Sequence, residues 1–272
     1  MLNKLSFNNI FIPRKIDEIE EKEKTRIQQI LQQEIIEGDL DLRRIDWIED
    51  LGNIREVRGN LNLSDSPIKS LRNLERVDGN LHLENSQIQS LGNLEYVGRN
   101  LWIYNTPIRS LENLERVEGD LRLENSQIQS LGNLRYVEDY LNLYNTPIQS
   151  LGNLQYVGKS LDLENTPIQS LGNLQYVGED LYLQNTSIQS LGNLEYVGGY
   201  LDLRNSQIRL LGNLQHVGGY LDLHDSQIQS LGKLKYVRGW IDLRNTPLSK
   251  LPKEELNKIL SKIEIEGEVY VK

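Results

Sequence analysis

Three similar rows of side chains near the end of the chain contain the groups best suited to chemistry. An aspartate and a histidine on one strand face could perform general acid–base catalysis, and three stacked carboxylates could bind a divalent cation. The rows hold no serine or cysteine nucleophile, and their arginines can neutralise the carboxylates. We therefore expect no enzyme, no cofactor and no metal site in these rows: Tyr200-Asp202-Arg204, Tyr220-Asp222-His224 and Trp240-Asp242-Arg244.

These rows belong to a repeat of 20 residues, in which residues at equivalent positions form a column. Each copy contains a Leu-x-Leu pair, such as Leu161 and Leu163, from the copy at Leu61 to the copy at Ile241. Earlier and later copies lie at Leu40 and Val269. Alternation with a period of two predicts a strand with one buried face. Twenty residues suit one coil of a solenoid whose strands stack about 4.8 Å apart. We therefore predict a mainly β solenoid of about twelve rungs, with one long parallel sheet and helical caps.

Several other columns are nearly constant, which indicates a structural role rather than ligand contact. Asn or Asp recurs from Asp65 to Asn245, and these residues tolerate unusual backbone angles. Glycine in the Leu-Gly-Asn triplets provides a corner with positive φ. The tyrosine column that includes Tyr156 predicts a stacked aromatic ladder, and the column of Gln169 predicts a solvated row on the outside.

The two ends of the chain depart from the repeat. Residues 13–36 predict a helix with a broken apolar stripe, which either caps the solenoid or forms a coiled coil with a partner. Pro252 begins a second segment with helical spacing, and a short strand follows at Val269–Val271. We thus divide one structural domain into a helical cap (residues 1–37), a solenoid (38–251) and a helix–strand cap (252–272).

The residues that flank and separate each Leu-x-Leu pair are expected to point outward. Their columns vary and are rich in aromatic residues, although the coil requires no such side chains there. Tyr, Trp and Arg dominate binding hot spots. Between residues 60 and 244 these columns hold nine acidic and three basic residues, or −6 of the chain's net −9. The predicted partner-binding residues are Trp102, Tyr104, Tyr140, Tyr144, Tyr182, Tyr200, Asp202, Arg204, Tyr220, Asp222, His224, Trp240, Asp242 and Arg244.

Composition excludes several classes of function. A net charge of −9 and a pI near 5.0 argue against binding to a phosphate backbone. The absence of cysteine excludes disulfides and thiolate metal sites. No apolar run approaches the roughly 20 residues that span a bilayer, and the first 13 residues lack the apolar core of a signal peptide. We expect a soluble cytoplasmic protein that binds neither membrane nor nucleic acid.

The segment VGGYLDLRNSQI, from Val197 to Ile208, resembles the receptor L-domain subtype of the leucine-rich-repeat superfamily, whose repeats read V-x-G-x-L-x-I-x-N. In the general leucine-rich pattern the Asn lies one position later than Asn165 does here. The resemblance covers about residues 38–251 and implies a right-handed solenoid formed by a single chain. The missing cysteines and the near-identical copies mean that an extracellular receptor role does not carry over.

We therefore expect a scaffold that binds a partner protein with a basic or mixed surface through the aromatic and acidic face. The alternative is a receptor or sponge for a small polar ligand, a sugar or nucleotide, on the same face. A third interpretation is that the face is only solvated surface. For stability, the pattern predicts a loss of several kcal/mol for Leu161→Asp and almost none for Asp162→Ala.

Overall fold

The computed structural model describes residues 13–272 of the chain, with side chains from residue 21 onward. The predicted cap residues 1–12 lie outside this range. Helix α1 spans Pro13–Ile30, a short 3-10 helix spans Leu248–Lys250, and helix α2 spans Lys253–Leu260. Within residues 13–272 every strand is two residues long, and the strands form two parallel sheets of twelve strands each. The architecture is therefore a parallel β-solenoid with short helices at its ends.

Every strand of sheet B begins at the first residue of a Leu-x-Leu pair, and Leu101 and Leu121 lie in register on adjacent strands, as predicted. The odd-numbered strands form sheet A, and the even-numbered strands form sheet B. The strands of sheet A are β1 Ile35–Ile36, β3 Glu56–Val57, β5 Arg76–Val77, β7 Tyr96–Val97, β9 Arg116–Val117, β11 Tyr136–Val137, β13 Tyr156–Val157, β15 Tyr176–Val177, β17 Tyr196–Val197, β19 His216–Val217, β21 Tyr236–Val237 and β23 Glu264–Ile265. The strands of sheet B are β2 Leu40–Asp41, β4 Leu61–Asn62, β6 Leu81–His82, β8 Leu101–Trp102, β10 Leu121–Arg122, β12 Leu141–Asn142, β14 Leu161–Asp162, β16 Leu181–Tyr182, β18 Leu201–Asp202, β20 Leu221–Asp222, β22 Ile241–Asp242 and β24 Val269–Tyr270.

The prediction of a single long sheet was incomplete, because the second extended segment of each coil also forms a sheet. Its valine column, for example Val157, points into the core and is fully buried. The backbone beside a buried side chain must satisfy its hydrogen bonds within the protein. The next coil provides the partners: the Gly178 N–H donates to the Val157 carbonyl at 2.9 Å.

The core is one continuous apolar cluster that extends from Ile27 in α1 to Leu256 in α2. Both residues of the representative Leu-x-Leu pair, Leu161 and Leu163, are fully buried, as predicted. Because each coil covers the apolar surface of its neighbours, the coils depend on one another for stability.

The constant columns form the structural ladders that the sequence predicts. Asn165 has φ of 57° and Gly152 has φ of 56°, so both occupy left-handed corners. Beside the asparagine column, the Thr166 hydroxyl donates to the Leu163 carbonyl at 2.7 Å. The rings of Tyr156 and Tyr176 stack at 5.0 Å, and this ladder continues through Tyr196 and His216 to Tyr236.

The N-terminal helix is shorter than predicted, since it ends at Ile30 and Ile35–Ile36 form the first strand of sheet A. These two residues pair with Glu56–Val57, and this pairing outweighs the helical pattern. The end of the helix is attached to the first coil, because Ile27 is buried and the Asn53 N–H donates to the Leu31 carbonyl at 2.9 Å. In the described part of the chain, no helix is long and apolar enough to cross a membrane.

Candidate functional site

The candidate site lies on the outer face of sheet B and consists of three columns. The first column precedes each Leu-x-Leu pair, the middle column separates its two residues, and the last column follows it. Tyr200, Asp202 and Arg204 represent these three columns in one coil. The sequence pattern predicts that all three columns face solvent, but the structure distinguishes between them.

The middle-column aspartates of three consecutive coils are buried, which corrects the expectation that they point outward to a partner. Asp202, Asp222 and Asp242 are only 1%, 7% and 2% exposed. Each carboxylate folds back and accepts the backbone N–H two residues later, as Asp202 does from Arg204 at 3.1 Å. Asn142 makes the same bond to the Tyr144 N–H at 2.9 Å. Side chains of Asp and Asn commonly form such local turns, so these residues hold the strand ends.

Two arginines neutralise part of this buried charge. Arg204 lies 2.6 Å from the Asp202 carboxylate, and Arg244 lies 2.5 Å from that of Asp242. Burial alone would raise the pKa of Asp242, but the hydrogen bonds and charge of Arg244 outweigh it and lower this pKa. Asp222 has only a 3.6 Å contact with Arg204. Burial raises the pKa of Asp222, and the neighbouring Asp202 and Asp242 raise it further.

This arrangement does not support catalysis by the Asp222 and His224 pair. The Asp222 carboxylate accepts the backbone N–H of His224 at 3.1 Å rather than a ring proton. The His224 ring instead lies 3.4 Å from Asp225 and 3.2 Å from the Asn245 side chain. Among the described residues, no group of three or more histidine or acidic side chains is placed to hold a metal ion. The arginines already occupy the oxygens of Asp202 and Asp242 that a cation would need.

Above the buried carboxylates lies an aromatic cluster, which we define as Tyr182, Tyr200, Tyr220, Trp240 and Tyr270. The Tyr220 and Trp240 rings stack at 4.8 Å with an angle of 10° between their planes. The other contacts in the cluster are edge-on, at 6.1 to 6.5 Å between ring centroids. Tyr220 is 49% exposed although its ring is large and mostly apolar. Tyr270 was absent from the predicted site, although its place in the last strand put it in the middle column.

The remaining predicted residues lie on the same face but outside this cluster. Trp102 packs against His82 at 4.1 Å, and Tyr144 is exposed. Burial raises the pKa of Tyr104, and the charges of nearby carboxylates raise it further. The Tyr140 hydroxyl donates to the Asp162 carboxylate at 3.4 Å. Trp102 and Tyr182 are four rungs apart, or about 19 Å at the usual strand spacing, so the predicted set does not form one compact site.

The first column contains a hydrogen-bond ladder that was not predicted from the sequence. The Asn60 side chain accepts the Asn80 N–H of the next coil at 2.8 Å, and Asn80 accepts the Asn100 N–H at 3.1 Å. Asp180 likewise accepts the Tyr200 N–H at 2.7 Å. The sequence signal was available, because Asn or Asp occupies this column in most early coils. The ladder explains why the coil favours Asn or Asp in this column.

Aromatic residues interrupt this ladder in three consecutive coils, at Tyr200, Tyr220 and Trp240. Their rings provide no carboxylate or amide oxygen for the amide of the next coil. A hydrogen bond of this kind contributes about 1 kcal/mol. The coil therefore does not require aromatic residues at these positions, and their presence calls for another explanation.

Beside the cluster lies a shallow depression of about 430 Å³, lined in part by Asp180, Tyr200, Tyr220 and Arg238. Four of its eight lining residues are glycine, and the close approach of neighbouring groups explains this at Gly239. A Cβ atom at Gly239 would lie 2.2 Å from Cδ1 of the Tyr220 ring. Glycine thus lets the tyrosine ring approach the backbone closely at this position.

Asp162 allows a test of how charge is buried on this face. Burial raises the pKa of Asp162 above its ordinary 3.8, although hydrogen bonds from the Glu164 backbone and the Tyr140 hydroxyl act in the opposite direction. A carboxyl whose pKa is raised by folding destabilises the protein when it is ionised, and this penalty disappears as pH falls through the folded-state pKa. We expect Asp162→Asn to be more stable than wild type at pH 7, with a difference that shrinks toward pH 3.5. Urea denaturation at both pH values measures it, and a difference independent of pH would contradict this account.

No model of a known protein family matches the chain, and no curated protein is similar to it in sequence.

Proposed function

We propose that this protein is a non-catalytic scaffold that binds a partner protein through the outer face of sheet B. The observation that carries the proposal is the replacement of the first-column ladder by Tyr200, Tyr220 and Trp240 in three consecutive coils. This replacement removes side-chain acceptors for backbone N–H groups of the next coil, and it leaves large rings partly in contact with solvent. Aromatic residues of this kind are the usual anchors of protein interfaces.

The size of the cluster indicates how far a binding surface must extend. Three rungs and three columns measure roughly 10 by 13 Å between outer Cα atoms at standard strand spacings. A standard interface covers about 800 Å² on each partner. A partner anchored at Tyr220 and Trp240 therefore also contacts residues farther along the sheet, toward Tyr182 and Tyr144.

We also propose that the repeat is a leucine-rich repeat and that the protein is cytoplasmic. A parallel β-solenoid with a 20-residue period is compatible with a leucine-rich repeat of the receptor L-domain kind, and the Val197–Ile208 pattern supports that assignment. The absence of cysteine suits a reducing compartment such as the cytoplasm.

We expect Tyr220→Ala and Trp240→Ala each to weaken partner binding by about 2 kcal/mol or more, as the loss of a buried aromatic anchor does. The control is Gln169→Ala, an exposed residue in another column, which should change binding by less than about 0.5 kcal/mol. Wild type and variants serve as baits in parallel pull-downs from lysate, and calorimetry then measures affinity for the captured protein. Circular dichroism confirms that each variant is folded. Wild-type affinity in both folded aromatic variants would exclude the cluster as the binding site.

The depression beside Tyr200 and Tyr220 favours a second candidate, a receptor for a small polar ligand. Two aromatic rings, a carboxylate and a guanidinium suit the stacking and hydrogen bonding of a sugar ring. Small-ligand sites are usually deeper and more enclosed, which places this function second. A thermal-shift screen of sugars and nucleotides tests it, and a hit whose stabilisation is lost in Tyr200→Ala would favour it over protein binding.

A further inference from the structure

We propose that the partner presents an extended, arginine-rich segment to the aromatic cluster and the neighbouring carboxylates. This inference rests on the proposed function. The cluster provides the exposed rings, and the charge beside it determines which partner chemistry fits. The carboxylates and the cluster residues from Tyr182 to Trp240 lie on or directly beside consecutive strands of sheet B, from β14 to β22.

The charge of the face is compensated at one end of this region but not at the other. Asp202 and Asp242 each have an arginine of the same coil within 2.6 Å. By contrast, Asp162, Glu164 and Asp180 have no lysine or arginine within 4.0 Å among the residues from 21 to 272. The partner can therefore supply positive charge at these three carboxylates.

The uncompensated carboxylates adjoin the aromatic cluster directly. Asp180 accepts the Tyr200 N–H at 2.7 Å and the Tyr182 hydroxyl at 3.0 Å. Asp162 pairs in register with Tyr182 on the next strand. A cation bound here thus contacts an aromatic ring as well as a carboxylate. Arg238 lines the depression from the opposite end, so we place the cation of the partner on the Asp180 side.

Arginine fits this combination better than lysine. A guanidinium stacks on an aromatic face and donates two parallel hydrogen bonds to a carboxylate, whereas an ammonium is a compact and strongly hydrated charge. The protein already uses such contacts internally: the Arg76 guanidinium lies 4.0 Å from the Tyr96 ring centroid, and that of Arg244 lies 5.9 Å from Tyr270. The exposed Tyr220 ring offers the same surface to an incoming arginine.

The length of the segment follows from the strand spacing. From β14 to β22 there are four steps of about 4.8 Å, or about 19 Å in total. An extended chain covers at most about 3.3–3.6 Å per residue, so about six residues are enough. A synthetic peptide of nine arginines is therefore long enough to serve as the probe.

The experiment measures binding of acetylated nona-arginine, with nona-lysine as the comparison, by fluorescence polarisation at two salt concentrations. The face variant carries Asp162→Asn, Glu164→Gln and Asp180→Asn. Each change introduces a residue that the chain already has in the same column, at Asn142, Gln184 and Asn100 respectively.

The matched control removes the same charge from another surface by Glu95→Gln, Glu115→Gln and Glu195→Gln. All three glutamates are exposed, and glutamine occupies the same column at Gln155 and Gln175. The control separates binding to the face from the general attraction of a basic peptide to an acidic protein.

We expect the face variant to bind nona-arginine about tenfold more weakly than wild type, as the loss of several half-buried charge contacts allows. The control variant should lose less than about threefold, because its charges act only at long range and are screened by salt. Wild type should bind nona-arginine more tightly than nona-lysine, and Tyr220→Ala and Trp240→Ala should abolish this preference. Equal losses in the face and control variants, or equal affinity for the two peptides, would overturn the inference. If the peptides fail but a captured protein still depends on Tyr220 and Trp240, the proposed function stands and only the arginine-rich partner is excluded.

Discussion

Leu161→Asp should lower the free energy of unfolding by about 4 kcal/mol or more, because it places an unpaired charge in the core. Leu161 is fully buried and lies in register between Leu141 and Leu181 in the middle of sheet B. Among the residues from 21 to 272 no buried side chain is basic, so nothing in the core can neutralise the new carboxylate. Urea denaturation followed by circular dichroism measures the loss.

The control for this prediction is the next residue, which points to the opposite side of the strand. Asp162→Asn should lose no stability, since Asn62 and Asn142 hold the same turn in other coils. Asp162→Ala should be about 1 kcal/mol less stable than Asp162→Asn, because alanine leaves the Glu164 N–H without its side-chain acceptor. The sequence pattern predicts almost no loss of stability for Asp162→Ala, because the pattern does not show this hydrogen bond. Similar losses for Leu161→Asp and Asp162→Asn would show that the inward and outward assignments are wrong.

Gly198→Val should destabilise the protein by about 3 kcal/mol or more, because the preceding coil lies too close at this glycine for a Cβ atom, although other coils hold Glu138 and Arg238 in the same column. A Cβ atom at Gly198 would lie 1.9 Å from the carbonyl oxygen of Gly178 in the preceding coil. That oxygen belongs to the backbone, so the two coils must separate to admit the valine. Thermal unfolding followed by circular dichroism shows the effect.

Gly152→Ala provides the contrast, since it changes a glycine at the other kind of corner. A Cβ atom at Gly152 meets nothing within 4 Å, but φ is +56°. The expected loss is therefore about 1 kcal/mol, from the left-handed backbone alone. Glu112 has φ of 51° in the same column, which shows that a side chain is tolerated there. A loss for Gly152→Ala as large as that for Gly198→Val would mean that backbone conformation, not crowding between coils, dominates at both corners.

The repeat pattern by itself determined the coil and the direction of its side chains. Leu161 and Leu163 alternate with polar residues, and a period of two assigns them to one buried side of a strand. The constant 20-residue step implies that every coil has equivalent neighbours, so the in-register stacking of Leu161 on Leu181 followed directly. The left-handed corner at Asn165 was also predictable, because few other residue types adopt that conformation.

Only the tertiary structure decided what the outward residues do, because alternation shows the side from which a residue leaves the strand but not where its side chain ends. The Asp202 side chain starts on the outer side of the strand, but it folds back to accept a hydrogen bond from the nearby backbone and is buried. The ladder from Asn60 to Asn80 joins residues that become neighbours only when coils stack. The stacking of Tyr220 on Trp240 likewise depends on the separation of adjacent coils. The candidate site was thus predictable as a face, whereas its division into buried caps and an exposed aromatic cluster arises from contacts between coils.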